Sequence, residues 1–438
     1  MKELLRSSFA RLTLAVLMAV LLLTTLGRMV TITGAAVLCL GWPFCTPLSP
    51  LGWWQWAHRL AVIVAAVLMF LLLRKAWREY RTHTVLLPLT TMSAVLFSGQ
   101  VFIGALQVTQ GLPRHLLVLH TLTALSLWIS LAVLFYVAAT LPEDTPAQPV
   151  AFSRQRLKDF LTLTKPVIVL LLLVTTFAGL VAGGKAWPSF WLAFWTLLGG
   201  ALAAGGSSAL NQYIDRELDR QMQRTARRPL AEGRLTHAEG LAFGLALSLS
   251  SYYLLAGLVN LLAALLSLAG IFYYVVFYSL WLKKSTVQNI VIGGGAGAIP
   301  PMVGWAAATG SLSLTAWLLF AIVFFWTPPH FWALAIVRKK DYARANVPML
   351  PVVRGEEETR RQILLYTVAL VVITLLLPLF NLAGTIYLLS ALVLGAGLIY
   401  AGWRVWHIPG NKVAWTMYRW SSMYLAFIFL ALMLDAVW

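Results

Sequence analysis

The sequence predicts an all-α polytopic membrane protein: an N-terminal four-helix bundle followed by a nine-helix bundle. Three observations predict it. Hydrophobic residues make up 60% of the 438-residue chain and charged residues only 11%, against roughly 25% charged in a soluble domain. Mean hydropathy is +0.81. Apolar runs near the length of a spanning helix, about 20 residues, recur from one end of the chain to the other.

The first four runs lie at about 12–32, 56–73, 85–107 and 116–140, which makes residues 1–140 one membrane domain. No small-residue cleavage site follows the first run, so no cleavable signal is expected. "LPEDTPAQPVAFSRQRLKD", residues 141–159, is polar, rich in proline and charge, and too long for a tight turn. It reads as a cytoplasmic linker between two membrane domains. Nine further runs follow, at about 166–183, 189–210, 239–258, 261–282, 287–308, 313–337, 362–381, 384–403 and 415–437, giving a second domain over residues 160–438.

Lys and Arg number 33 against 15 Asp and Glu, a net charge of +18. In a soluble chain that balance would point to nucleic acid. In this one it reflects basic loops on the cytoplasmic side, with membrane lipid as the surroundings and no nucleic-acid partner. Arg216 to Arg234, Lys283 with Lys284, and Arg338 to Lys340 follow the second, fourth and sixth runs of the later domain. All three fall on one side. Lys2, Arg6 and Arg11 before the first run, and Arg74, Lys75, Arg78 and Arg81 after the second, agree. The N-terminus and the polar blocks are therefore expected in the cytoplasm, with the chain in a prokaryotic plasma membrane. The 19 tryptophans suit interfacial belts. Cys39 and Cys45 fall in an outward loop, "CLGWPFC", without CxxC spacing or a nearby histidine cluster for zinc. A disulfide there would persist only in an oxidising compartment.

One block interrupts the apolar pattern: "NQYIDRELDRQMQRTARRPLAEGRL", residues 211–235. Asn211, Asp215 and Asp219 advance about 40° per step on an α-helix and so form one stripe. Carboxylates on one stripe repel unless a cation lies between them. Mg²⁺ takes oxygen ligands, through one or two carboxylates plus substrate phosphates. Arginine forks match phosphate oxygens. The spacing suits a Mg²⁺–diphosphate site at the cytoplasmic end of a helix. Spacing alone is equally compatible with a solvated helix end laced with ion pairs. Two further patches shift that balance, because all three fall on the same side: "YSLWLKKSTVQNIVIGGGAGAIPPMVGWAAATG", 278–310, and "TPPHFWALAIVRKKDYARANVPMLP", 327–351, with Asp341. The small residues of the former permit close helix contact or a wide cavity. His330, a lone histidine, reads as a structural hydrogen-bonding residue before a heme contact.

At these three patches the chain resembles the UbiA superfamily of intramembrane prenyltransferases, and within it the heme O synthase branch, over about residues 155–438. The resemblance implies that Asn211, Asp215, Asp219 and Asp341 bind Mg²⁺ and farnesyl diphosphate. Arg224, Arg228, Lys283 and Lys284 would neutralise the diphosphate, although each of these cations also serves the sidedness rule. The implied reaction joins a farnesyl group to a vinyl group of protoheme IX (heme B), with addition of water, giving heme O for terminal oxidase assembly. The superfamily often has a second Asp four residues after the position of Asp341. Here it is Ala345, as in the heme branch.

The first domain resembles one four-helix half of heme A synthase, on "GRMVTITGAAVLCLGWPFC", "WWQWAHRLAV", "SGQVFIGALQV" and "GLPRHLLVLHTLTA". His58 and His120 sit at one depth, and two intramembrane histidines are a functional-site hypothesis; hydrogen bonding within the bundle is the alternative. The resemblance implies heme ligation by both and a disulfide between Cys39 and Cys45. His115 lies closer to the loop. Only one of the two halves is present, and Gln55 stands where active members usually carry Glu, three residues before the first histidine. An amide cannot do a carboxylate's proton chemistry, so this domain is not expected to oxidise heme O by itself. Holding heme, delivering it to a separate heme A synthase or oxidase assembly factors, or pairing with a second copy are the remaining roles.

Other classes fit less well. A quinone-precursor acceptor is disfavoured by the heme-type motifs. A non-catalytic heme carrier would let the acidic motif decay, yet Asp215, Asp219 and Asp341 are all present. A transporter gives no reason for the stripe beside the arginines.

Overall fold

The computed structural model describes residues 7–38, 41–43, 51–140, 150, 151 and 153–438. Cys39, Cys45, Lys2, Arg6 and most of the 141–159 linker lie outside the described residues. Among the described residues all regular structure is helical, and 13 helices are long and apolar enough to cross a membrane. They are α1 (Ser8–Ile32), α2 (Gly52–Glu79), α3 (Leu86–Thr109), α4 (Arg114–Thr140), α5 (Pro166–Gly184), α6 (Phe190–Gln221), α7 (His237–Leu258), α8 (Leu261–Ser285), α9 (Asn289–Thr309), α10 (Leu314–Val337), α11 (Gly355–Leu379), α12 (Thr385–His407) and α13 (Asn411–Val437). Each falls on one of the predicted apolar runs. Several begin where a side chain accepts from a free backbone N–H: Ser7 from Ala10, Ser189 from Leu192 and Asn260 from Ala263.

The chain divides into two compact units, one of Met1–Lys158 with Arg234–Tyr253, the other of Asp159–Gly233 with Leu254–Trp438. In the first unit, α1 packs on α2 and α4, and α3 on α4 and α2. Short polar bonds tie the apolar helices across their seams: Trp77 to Thr91 at 3.1 Å, and Ser93 with Ser130 at 2.7 Å. Most of α7 joins this unit, although it is the third apolar run of the later sequence block. Contacts at both of its ends account for that. The Tyr253 ring lies on Gly99, where a Cβ would come within 2.6 Å of it, and its hydroxyl donates to Thr123 at 3.2 Å. At the other end Thr236 and Glu239 form a reciprocal capping box, and the buried Glu239 carboxylate receives Arg156 at 2.5 Å with Arg81 at 3.8 Å.

In the second unit α5 and α9 touch at reciprocal glycines. A Cβ on Gly179 would sit 2.1 Å from the Pro301 carbonyl, and one on Gly304 would sit 1.8 Å from the Thr176 carbonyl. Close backbone approach of this kind is what small residues supply between membrane helices. α9 continues onto α10, which packs on α11 and α13, with α12 between α11 and α13. Helix α8 changes winding midway: Tyr273–Leu282 is π-helical.

Candidate functional site

Helix α6 carries the stripe. Its 32 residues span about 48 Å at 1.5 Å per residue, longer than an apolar layer of about 30 Å. Its last turns therefore run past the apolar stretch, and they hold Asn211, Asp215 and Asp219 on one face. All three are buried, with Asp215 wholly inaccessible. A solvated helix end would leave them exposed; here they are buried, with the ion pairs of that reading present as well.

Each member of the stripe is met by a cation. Lys165 Nζ donates to Asn211 Oδ1 at 3.1 Å. Lys283 Nζ lies 2.5 Å from Asp215 Oδ2. Arg228 Nη1 donates to both oxygens of Asp219, at 2.9 and 2.7 Å. Three cations thus face two carboxylates, an excess suited to a polyanion. Within this network Asp215 Oδ1 is buried without a hydrogen bond. A buried carboxylate oxygen left so is costly, and an oxygen-loving cation is the ligand that relieves it. The donor set, two carboxylates and an amide oxygen on one face, fits Mg²⁺.

The remaining predicted residues are placed less centrally. Arg224 is exposed, with its charge acting on Tyr278 and Tyr342. Lys284 is exposed beside Lys283. Asp341 lies in the short helix Lys339–Arg344, 3.8 Å from Arg344. No group of three Asp, Glu, His or Cys suited to a metal occurs among the described residues, so Asp341 is not gathered with Asp215 and Asp219 in this arrangement. Its neighbour Tyr342 does approach the site, within reach of the charges of Arg224 and Lys283; burial pushes its hydroxyl pKa up. His330 is buried and held by its neighbours. Its Nδ1 meets Ser421 Oγ at 2.8 Å, and its ring stacks between Trp326 and Tyr418, centroids 4.2 and 4.4 Å away.

Lys165 is the residue of the candidate site that sequence reasoning missed. It caps α5 in the left-handed region, φ 50° and ψ 63°, a conformation that costs a non-glycine residue about 1–2 kcal/mol. Burial, then the neighbouring charges of Arg228 and Lys283, lower its ammonium pKa to about 7. A lysine heading an apolar run, in "LTKPV", was the available signal. Two further residues belong here. Tyr274 and Tyr278 stack 5.5 Å apart, within electrostatic reach of Asp215. The glycine-rich run of α9 seats this segment: a Cβ on Gly293 would lie 2.3 Å from the Tyr278 ring. At Gly293, then, the small residue serves close contact.

In the first unit, His58 and His120 take matched positions. A Cβ on Gly27 would lie 3.1 Å from His58 Cε1, and one on Gly104 would lie 3.0 Å from His120 Cε1. His58 Nδ1 meets the Leu23 carbonyl at 3.2 Å, which leaves Nε2 as the ring's lone-pair nitrogen. His120 Nε2 lies 3.0 Å from Gln100 Nε2, and its Nδ1 is buried without a hydrogen bond. Because an amide NH₂ only donates, His120 Nε2 accepts from Gln100 and the ring proton lies on Nδ1. A free lone pair is therefore present on His58, and an axial role for His120 requires its contact with Gln100 to open. Gln55 is buried on the same helix as His58.

Comparison with known proteins identifies the family. A family profile described as UbiA prenyltransferase family matches residues 172–428. A second, described as cytochrome oxidase assembly protein, matches residues 49–237. A protoheme IX farnesyltransferase of Roseiflexus castenholzii is 40% identical over 455 residues, covering 98% of this chain and 84% of that protein. One from Trichodesmium erythraeum is 50% identical over 286 residues, covering 65% of this chain and 87% of that protein. A solved structure of a digeranylgeranylglyceryl phosphate synthase is similar over 65% of this chain and 99% of its own, at a TM-score of 0.56 and 16% identity, a likeness of fold alone. With a profile matched over more than half its length and a relative covered over most of its own, this multi-pass membrane chain belongs to the UbiA prenyltransferase family.

Proposed function

We propose that this chain transfers the farnesyl group of farnesyl diphosphate to a vinyl group of protoheme IX, with addition of water, giving heme O for terminal oxidase assembly. The observation that carries it is the buried Asn211–Asp215–Asp219 stripe faced by Lys165, Lys283 and Arg228, with Asp215 Oδ1 unsatisfied. Relatives that carry the name protoheme IX farnesyltransferase support the choice of acceptor.

Asn211, Asp215 and Asp219 would hold Mg²⁺, with Asp341 as the acidic residue of the second motif. When bound, the ion supplies Lewis-acid neutralisation of charge developing on the departing diphosphate. Lys165, Lys283 and Arg228 bind the same oxygens, and Arg224 and Lys284 stand at the exposed margin. As the allylic C–O bond breaks, its electron pair leaves with the diphosphate. The terminal vinyl carbon then donates its π pair to the farnesyl carbon. The cation left beside the porphyrin takes water, and that water loses a proton to become the hydroxyl. The stacked Tyr274 and Tyr278 rings lie beside Asp215 and offer a π face to the allylic cation.

In this reading the stripe and the N-terminus face the cytoplasm of a prokaryotic cell, where farnesyl diphosphate is supplied. Residues 1–140 form the accessory domain, 141–159 the linker and 160–438 the prenyltransferase domain. His58 and His120 hold a heme in the accessory domain, which does not oxidise heme O because Gln55 replaces the carboxylate. A loop disulfide between Cys39 and Cys45 belongs to the same reading.

The test is a product assay. The chain is expressed in a heme-O-deficient host, and extracted hemes are separated and weighed by mass spectrometry, with Asp215→Ala beside it. Heme O from the wild type and none from the variant is the expected result. No new heme from folded wild-type protein would sink the proposal.

A further inference from the structure

Helix α8 meets α6 through a repeated spacing. Ser279 and Lys283, four residues apart on the π-helical segment and the turn after it, face Asn211 and Asp215, four apart on α6. Lys283 supplies a charge. Ser279 supplies a hydroxyl, and its hydrogen-bond geometry leaves that hydroxyl one way to act.

An amide side chain presents a carbonyl oxygen on one side and an NH₂ on the other, and only the oxygen can hold a divalent cation. The network fixes which side Asn211 offers. The Ser279 hydroxyl donates its single hydrogen to the Tyr274 carbonyl at 2.8 Å. Its oxygen is then left to accept, and it accepts from Asn211 Nδ2 at 3.0 Å. The second hydrogen of the same NH₂ goes to Asp215 Oδ2 at 2.6 Å. Both Nδ2 hydrogens are thereby used, and Oδ1 is turned to the position where Lys165 Nζ now sits, 3.1 Å away. The ammonium form of Lys165 donates to that oxygen, in keeping with the orientation the two Nδ2 bonds impose.

The π winding makes this possible. Serine and threonine hydroxyls that bond along their own α-helix here reach carbonyls three or four residues back, as Thr90 does to Leu86 and Ser98 to Ala94. Ser279 reaches five back, the carbonyl that an i→i+5 helix brings into line. Ser279 is buried, at 1% exposure, so water does not replace its contact.

We infer that Ser279 is a positioning residue: through the π turn it locks the Asn211 amide so that Oδ1, and not Nδ2, faces the cation site. The inference rests on the metal reading of the stripe given above.

The test uses the full chain in detergent, with Mn²⁺ as the probe and inorganic diphosphate present. Free Mn²⁺ is titrated by electron paramagnetic resonance. Ser279→Ala is expected to weaken Mn²⁺ binding about tenfold, the worth of one buried hydrogen bond. Ser279→Thr keeps the hydroxyl and restores binding to within about twofold of wild type. In an Asn211→Asp background either oxygen can face the ion, so adding Ser279→Ala changes binding less than about twofold. Equal Mn²⁺ affinity in wild type and Ser279→Ala overturns the inference alone. A tenfold loss that persists in the Asn211→Asp background, or that Thr does not restore, marks a general packing effect and overturns it as well. A wild type that binds no Mn²⁺ with diphosphate overturns the metal reading, and this inference with it.

Discussion

Arg228 donates through one nitrogen to both oxygens of Asp219, and its side chain keeps 20% exposure while that of Asp219 keeps 3%. That partial exposure matters, because a wholly buried pair would serve structure alone, whereas this guanidinium has donors left over for a ligand. Arg228→Leu is expected to raise the KM for farnesyl diphosphate about 10- to 100-fold, the worth of a charge-assisted hydrogen bond. Steady-state kinetics in detergent or vesicles would check it, and an unchanged KM would remove Arg228 from the diphosphate set. At this scale the sequence was partly legible. Four-residue spacing gave the stripe, and an arginine-rich stretch gave Arg228. Lys165 was not legible, because it lies 46 residues from Asn211 and only the α5–α6 arrangement brings them together. The role of Ser279 depends on where its single proton goes, which a residue string does not carry.

The helices themselves were legible because membrane length and apolar composition act locally. What lies between helices was less so. The glycine-rich stretch of α9 left close contact and a wide cavity both open, and the structure separates the glycines individually. Gly304 meets backbone at 1.8 Å from a Cβ position, while Gly297 has nothing within 4 Å. Gly304→Ala should therefore push α5 and α9 apart, and overpacking of this kind costs about 1–3 kcal/mol or more. Gly297→Ala should cost little and serves as the control. Thermal unfolding of both variants in the same detergent would show it; equal midpoints would contradict the close-approach reading. The π-helical segment of α8 was likewise invisible in "YYVVFYSLWL", whose apolar pattern suits any helical winding.

Over the whole molecule, two units carry two kinds of buried chemistry, a carboxylate stripe in one and a histidine pair in the other. If His58 and His120 are axial ligands, the purified full chain should show the absorption of a low-spin, six-coordinate heme. His58→Ala and His120→Ala should each abolish that spectrum while heme O formation continues, since neither histidine belongs to the stripe. A spectrum indifferent to both substitutions would leave the pair as hydrogen-bonding core residues. In the proposed reading Gln55 offers no carboxylate for proton transfer, so heme O and no heme A is the expected product in a host without another source.

The sequence by itself determined the class, the thirteen spans and the motif that marks the prenyltransferase. Hydrophobic length and helical spacing are short-range properties that each segment expresses alone. Only the tertiary structure decided which side chains neutralise the stripe, which oxygen Asn211 presents, that His330 is packed between aromatic rings, and that most of α7 groups with the N-terminal helices. Those depend on what distant segments place against one another, and in a low-dielectric interior the nearest partner sets a polar group's chemistry.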